Sequence, residues 1–207
     1  MIIDPTKQPF DSNHKLMIGS ILPRPIAFVS TKSKDGILNL APFSYFNGVC
    51  SNPPTVMFAP GRRGYDGLTK DTLNNIRDTE EFVVNIVSEQ IAEPMVACAT
   101  DFDKDVDEFE VSGLTPVDSV KVVPPRVKES KVSFECTLNT IVPVGEAGPG
   151  GGFVVIGTII MFHIDDEVYT DGRIDLNTLN PVGRLAGNYY TRVHDTFKIV
   201  RQIKPDN

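Results

Sequence analysis

The chain has 207 residues, of which 41% are hydrophobic and 23% charged, with a formal net charge of −7 and a pI near 5.0. That length buries the core of one ordinary domain, taken as residues 1–207, and the composition excludes a disordered chain. The acidic balance excludes a general nucleic-acid binder, which needs a basic stripe, but it does not exclude a local site for one small anion.

The N-terminus, MIIDPTKQPF, carries no apolar signal core, so no secretory or lipid-anchor signal is expected. Pro23 and Pro25 lead into a β-rich run over 26–31, and Asp35-Gly36 marks a hairpin turn. Runs over 37–41, 44–50 and 55–59 follow, broken by Ser51-Asn52-Pro53-Pro54, so the first 60 residues read as an antiparallel meander. Residues 69–78 read as a short helix, with Thr69 and Asp71 as candidate caps and Leu73 and Ile76 as its only apolar positions. Residues 81–88 read as a strand with Phe82, Val84 and Ile86 on one face and Val83 and Val87 on the other.

A second helix is expected over 91–99, and 101–110 is an acidic loop or helix start. Residues 114–123 are irregular or a short strand. A long strand over 131–144 is expected to pair with 153–164 across the flexible loop GEAGPGGG at 145–152. An Asp-Gly turn at 171–172 follows, and a last strand is expected near 197–203. About seven to nine strands with two or three short helices point to a β-barrel more than a sandwich. The longest apolar stretch, 153–162, is interrupted by Gly157 and Thr158 and is too short to cross a membrane.

Most familiar chemistries fail on spacing. The glycine run at 145–152 precedes a strand and is not followed by Gly-Lys-Ser/Thr, so it is not a phosphate loop. Asp101, Asp103, Asp105 and Asp107 imitate a calcium loop, but Val106 stands where glycine is needed and Ser112 where a bidentate glutamate is needed. His14, His163 and His194 share no metal-ligand spacing with the cysteines, so no metal site is expected. Three scattered cysteines, Cys50, Cys98 and Cys136, suit reduced, buried thiols in a cytoplasmic protein. No G-x-S-x-G elbow is present, and nothing selects a catalytic pair of carboxylates.

Two segments remain. Residues 39–47, NLAPFSYFN, are polar and proline-broken for a core strand and offer backbone groups, an amide and a hydroxyl beside aromatic rings. Lys70-Asp71-Thr72 places a cation, a hydroxyl and free N–H groups at a helix start, with Arg62 and Arg63 upstream. These are ingredients for holding a phosphate, although from the residues alone an ordinary capped surface helix reads slightly better.

These segments, with Arg24–Thr31, Ser51–Pro54, Asn75-Ile76, Glu81–Asn85, Asp107–Glu110, Gly113–Thr115, Glu135-Cys136, Pro181–Leu185 and Tyr189-Tyr190, resemble the flavin reductase-like family of FMN-binding split barrels. The resemblance implies a six-stranded Greek-key split barrel and a homodimer with one FMN per subunit near the dimer interface. It implies that Asn39, Ala41, Pro42, Phe43 and Ser44 line the flavin ring, with Asn47 and Ser51 nearby and Ser30 and Thr31 flanking the ring. Lys70, Asp71 and Thr72 then serve the phosphate or ribityl end. Arg184 meets flavin or nicotinamide, or forms an interface salt bridge instead.

Hydride transfer from NAD(P)H to the flavin needs no protein acid or base, so no catalytic residue is named. It also needs no dinucleotide-binding domain. The implied activity is a flavin reductase feeding a monooxygenase or another redox protein. The alternatives are a flavoredoxin-like electron carrier without nicotinamide activity, and a barrel that has lost its flavin.

Overall fold

The computed structural model describes residues 1–202. A helix, α1 (Phe10–Ser20), precedes strands β1 (Ala27–Lys32), β2 (Leu38–Phe43), β3 (Phe46–Ser51) and β4 (Pro54–Phe58). Helix α2 (Asp71–Thr79) leads to β5 (Glu81–Ile86), then to the short helices α3 (Ala92–Ala97) and α4 (Glu108–Ser112). The long strands β6 (Val132–Val144) and β7 (Gly152–Ile164) follow, and β8 (Val182–Arg184) pairs with β9 (Tyr190–Arg192). Seven strands form one antiparallel sheet in the order β2-β1-β5-β6-β7-β4-β3, one more strand than the resemblance implied.

The sheet cannot lie flat. Seven strands side by side would hold their outer edges about 29 Å apart. Yet β2 ends at Phe43 and β3 begins at Phe46, and a link that short spans at most about 11 Å. The sheet therefore curls into a barrel that is split between β2 and β3. The split corrects the expected meander: β1 pairs β2 and β3 pairs β4, but no ladder joins β2 to β3. Pro42 suits its place on an edge strand, where a missing N–H breaks no central ladder. Register shifts at Glu135/Cys136 and Leu138/Thr140 bend the long β6–β7 ribbon around the barrel.

Strand alternation sorts the core into two layers. Ala27, Val29, Phe43, Phe58, Phe82, Val84 and Val155 fill the barrel, and α2 closes one end with Leu73 and Ile76. Phe43 meets Phe58 with ring centroids 5.0 Å apart, and Phe58 meets Phe82 at 5.6 Å, so aromatic contacts run from the edge strand inward. On the outer face Ile26, Phe28 and Leu40 pack against Ile91, Met95 and Cys98 near α3 and Phe109 of α4. The break at Gly157 has a packing cause, because a Cβ there would collide with the Phe82 ring.

Several expectations need correction. Helix α1 had no sequence-based expectation, and none of its residues is buried. Helix α2 is not capped by Thr69 or Asp71: its N-cap is Lys70, with no side-chain cap, and the Thr69 hydroxyl donates to Asn74 Oδ1 at 2.7 Å. Cys98 and Cys136 are buried, but Cys50 is exposed on β3. The expected last strand is not formed over 197–202, where Phe197, Ile199 and Val200 are exposed; Ile203 lies outside the described residues. The turn at 171–172 forms with both residues in the left-handed region.

One buried acid organises the barrel's far flank. Glu135 of β6 is fully buried. Its carboxylate accepts the N–H groups of Val120, Lys121 and Val122 at 2.7, 2.6 and 3.2 Å and pairs with His163 of β7. Burial pushes the carboxyl up, but these N–H donors and His163 outweigh it and hold its pKa below the ordinary value. The contribution of a lowered pKa is present above the unfolded value and is lost as pH falls through the folded one.

Two stability predictions follow from this packing. Gly157→Ala should cost about 1–3 kcal/mol by overpacking against Phe82, read as a lower urea midpoint. Glu135→Gln should cost about 1–3 kcal/mol at pH 7, and its difference from wild type should shrink below about pH 4 in the same urea titrations.

Candidate functional site

Three elements meet at one end of the barrel: edge strand β2, the start of α2, and the segment from the end of α3 to α4. They line a half-open cleft whose enclosed space is about 40 Å³, or about 420 Å³ with the open solvent at its mouth counted. Asn39, Ala41, Pro42 and Phe43 form one wall, and Lys70, Asp71 and Thr72 form the second. Arg63, Cys98, Asp101, Phe102 and Glu108 complete it.

The polar groups here are already paired. Asn39 is buried and holds three elements together: its Oδ1 accepts the Thr72 hydroxyl at 2.7 Å and the Thr31 hydroxyl at 3.2 Å. Its Nδ2 donates to Glu108 Oε1 at 2.6 Å. Asn75 Nδ2 donates to Thr31 Oγ1 at 3.0 Å and extends the network along α2. The second carboxylate oxygen of Glu108 accepts the Leu40 N–H at 3.2 Å. Because β2 is an edge strand, that N–H would otherwise be exposed, and Pro42 has none to expose.

The cations are paired too. Lys70 Nζ lies 2.5 Å from Asp101 Oδ1. Arg63 lies 3.7 Å from Asp71 and 3.9 Å from Asp66, and it donates to Tyr65 at 3.0 Å. What α2 leaves open is its first turn: no side chain caps it, so its N–H groups retain the partial positive charge of a helix start. Burial, helped by the nearby Asp71 charge, raises the Glu108 carboxyl to about 7 against the pull of its hydrogen bonds. Burial also raises the Cys98 thiol to about 11, so it is no ready nucleophile.

The structure brings Asn39, Ala41, Pro42, Phe43, Lys70, Asp71 and Thr72 onto one cleft. Thr31 reaches it only through Asn39. Ser30 is fully buried and donates to the Pro125 carbonyl at 2.5 Å. Ser44 is half-buried and accepts from Arg24 Nε at 3.2 Å. Asn47 and Ser51 are exposed on β3, outside the lining. Arg184 lies on β8 with its guanidinium 4.5 Å from the Tyr190 ring centre and donates to the Gly187 carbonyl, so it too stands apart from the cleft.

Sequence reasoning missed Asp101 and Glu108 by treating 101–110 as a solvated acidic run. A usable signal was present. Asp107 caps α4 by accepting the Phe109 N–H, and a capped turn ending in an apolar residue turns Glu108 and Phe109 inward. Among the described residues no group of three or more His, Cys, Asp or Glu side chains could hold a metal ion. No helix there is long and apolar enough to cross a membrane.

The cleft's donors fit a flavin mononucleotide: Lys70 and the uncapped start of α2 suit a phosphate, and the edge of β2 beside Phe43 suits a planar ring. Comparison with known proteins agrees with that class of fold. Residues 18–182 match the flavin reductase like domain. A protein of Aquifex aeolicus is 43% identical over 190 residues, covering 91% of this chain and 94% of the relative. The crystal structure of nitrilotriacetate monooxygenase component B from Bacillus cereus is similar with a TM-score of 0.91 and 37% identity, covering 96% of this chain and 98% of that one. The 2-nitrobenzoate 2-nitroreductase of Pseudomonas fluorescens is similar with a TM-score of 0.86 and 32% identity, covering 98% and 96%. With its antiparallel split barrel and its match over most of its length, the chain belongs to the flavin reductase-like family.

Proposed function

We propose that this protein binds FMN in the cleft between β2 and α2 and acts as an NAD(P)H-dependent flavin reductase. The observation that carries this reading is the pairing of an uncapped helix start, flanked by Lys70, with the edge of strand β2 in a chain of this family. Lys70, Asp71 and Thr72 hold the phosphate and ribityl end. The backbone of Ala41, Pro42 and Phe43 meets the ring, with Asn39 and Ser44 fixing the strand beneath it. When bound, the flavin supplies the hydride acceptance and electron transfer. The chain's own work is to hold the ring, exclude water from one face and leave the other open to the nicotinamide.

Lys70 would exchange Asp101 for a bound phosphate, since a charge-assisted bond to a dianion would replace one to a monoanion. We take the working unit to be one domain over residues 1–207, a cytoplasmic homodimer that passes reduced flavin to a monooxygenase. Similarity to a monooxygenase component B supports such a partner. Helix α1 supports a second copy of the chain, because Phe10, Leu16, Met17, Ile21 and Leu22 at and beside it are each about half exposed.

The test is spectroscopic. Protein loaded with FMN should show a flavin band near about 450 nm, a property of the cofactor, that bleaches when NADH or NADPH is added without oxygen. A flavin band that nicotinamide leaves unchanged would favour an electron carrier, and a protein that binds no FMN would refute the reading. Lys70→Ala should weaken FMN binding by about 1–3 kcal/mol in a fluorescence titration; unchanged affinity would remove Lys70 from the site.

A further inference from the structure

Glu108 has no part in the reading above, yet it is one of the best-anchored polar side chains in the molecule. It is 7% exposed, and no cation pairs with it among the described residues. Both its oxygens accept hydrogen bonds, from Asn39 Nδ2 at 2.6 Å and Leu40 N at 3.2 Å. Asn39 in turn accepts from Thr72 at 2.7 Å, so a single amide joins the carboxylate to the first turn of α2.

The charged groups around it are unevenly matched. Asp71 faces it from α2, beside Lys70, which is paired with Asp101. Arg63 on the preceding loop is paired with Asp71. From the end of α3, the Cys98 thiol meets the Glu108 backbone carbonyl at 3.6 Å. Asp107 and Glu110 flank it on its own helix. With Glu108 ionised, the cleft lining carries three carboxylates against two cations. A phosphate adds about −1.5 to −2 more near pH 7.

We propose that Glu108 is a positioning residue that couples docking of the flavin phosphate to uptake of a proton from solvent by the ionised fraction of its carboxyl. This deepens the flavin reading and rests on it. As the phosphate enters, the carboxylate accepts a proton, one O–H bond forms and no electrons move. The neutral acid keeps an acceptor lone pair on each oxygen, so Asn39 and Leu40 stay held and the wall of the cleft does not loosen. Burial already brings the carboxyl to about 7, so a nearby anion needs to raise it only modestly to protonate it. The sign follows: proton uptake on binding means that affinity is highest below about pH 7 and falls as pH rises above it.

The experiment is isothermal titration of the flavin-free protein with FMN, from pH 7 to 8.5, in two buffers of different ionisation enthalpy. Wild type should take up a fraction of a proton per FMN, and its Kd should weaken about tenfold across that range. Glu108→Gln turns one acceptor oxygen into a donor amide against Asn39 or Leu40, which lowers affinity at every pH, but it should bind FMN with no proton uptake and a Kd constant within about twofold over the same range. Should that variant not fold, the Glu108 carboxyl carbon in wild type, followed by 13C NMR, should titrate at higher pH with FMN bound than without it. An equal proton count in wild type and Glu108→Gln, or an unmoved carboxyl titration, overturns the coupling while leaving the flavin reading intact. Failure of wild type to bind FMN at any pH overturns both.

Discussion

The link from Phe43 to Phe46 governs this structure. Two residues, Ser44 and Tyr45, join the first and last strands of a seven-stranded sheet, so the sheet has to close on itself. Closure places the inward side chains of β1, β4, β5 and β7 around one apolar axis and leaves α2 to fill an open end with Leu73 and Ile76. It also sets β2 beside a seam that side chains cross without a ladder. The Phe43–Phe58 contact crosses that seam, and the Tyr45 carbonyl, which accepts the Ala59 N–H at 2.8 Å, extends the β3–β4 ladder up to it. Arg24 reinforces it from outside, bonding Ser44 and the carbonyls of Ile18, Ile21 and Leu185. Among the described residues it does this without a carboxylate partner, its guanidinium bonded to carbonyl oxygens and one hydroxyl.

The site inherits its geometry from this seam. An edge strand offers backbone groups that a central strand would have paired, and β2 lies against the start of α2 because α2 stops the barrel's end. Asn39 fixes the angle between them. Its amide accepts two hydroxyls and donates to one carboxylate, so it cannot be flipped without losing bonds on both sides. The cleft walls are thus set by hydrogen bonds whose donors and acceptors are almost fully used. On the proposed reading, recognition of an anion falls on groups that can change partners, the Lys70 ammonium and the helix N–H groups.

Much of the barrel could be read from residues alone, because β7 alternates between buried and partly exposed positions, and β1 and β5 are short apolar runs buried on both faces. The β6–β7 hairpin and the Asp171-Gly172 turn follow from β propensity and turn chemistry. What escaped has definite causes. Helix α1 buries nothing, so it carries no apolar stripe to read. The separation of β2 from β3 depends on which strand each one pairs with, and local pattern does not encode that. The run 197–202 has the propensity of a strand but no edge to join among the described residues. At the site, Asn39 to Phe43 and Lys70 to Thr72 stood out as polar anomalies beside apolar runs. Strand parity separates Ser30 from Thr31: Ser30 shares the outward face with Phe28, and Thr31 the inward face with Val29. Glu108 was hidden by its acidic neighbours, since burial depends on a cap and a turn rather than on composition.

The closed sheet also sets where the entropic cost of closure falls. The β6–β7 ribbon and the β1–β2 and β3–β4 hairpins can form from neighbours in the chain, but the joints between them are remote. Thr55 of β4 pairs with Thr158 of β7, and Ala27 of β1 pairs with Ile86 of β5. Joining such distant segments adds only a logarithmic entropic penalty to stability, yet it must be met before the contacts form. Of these joints the β4–β7 one spans the longest stretch of chain, so it carries the largest loop-closure penalty in the barrel.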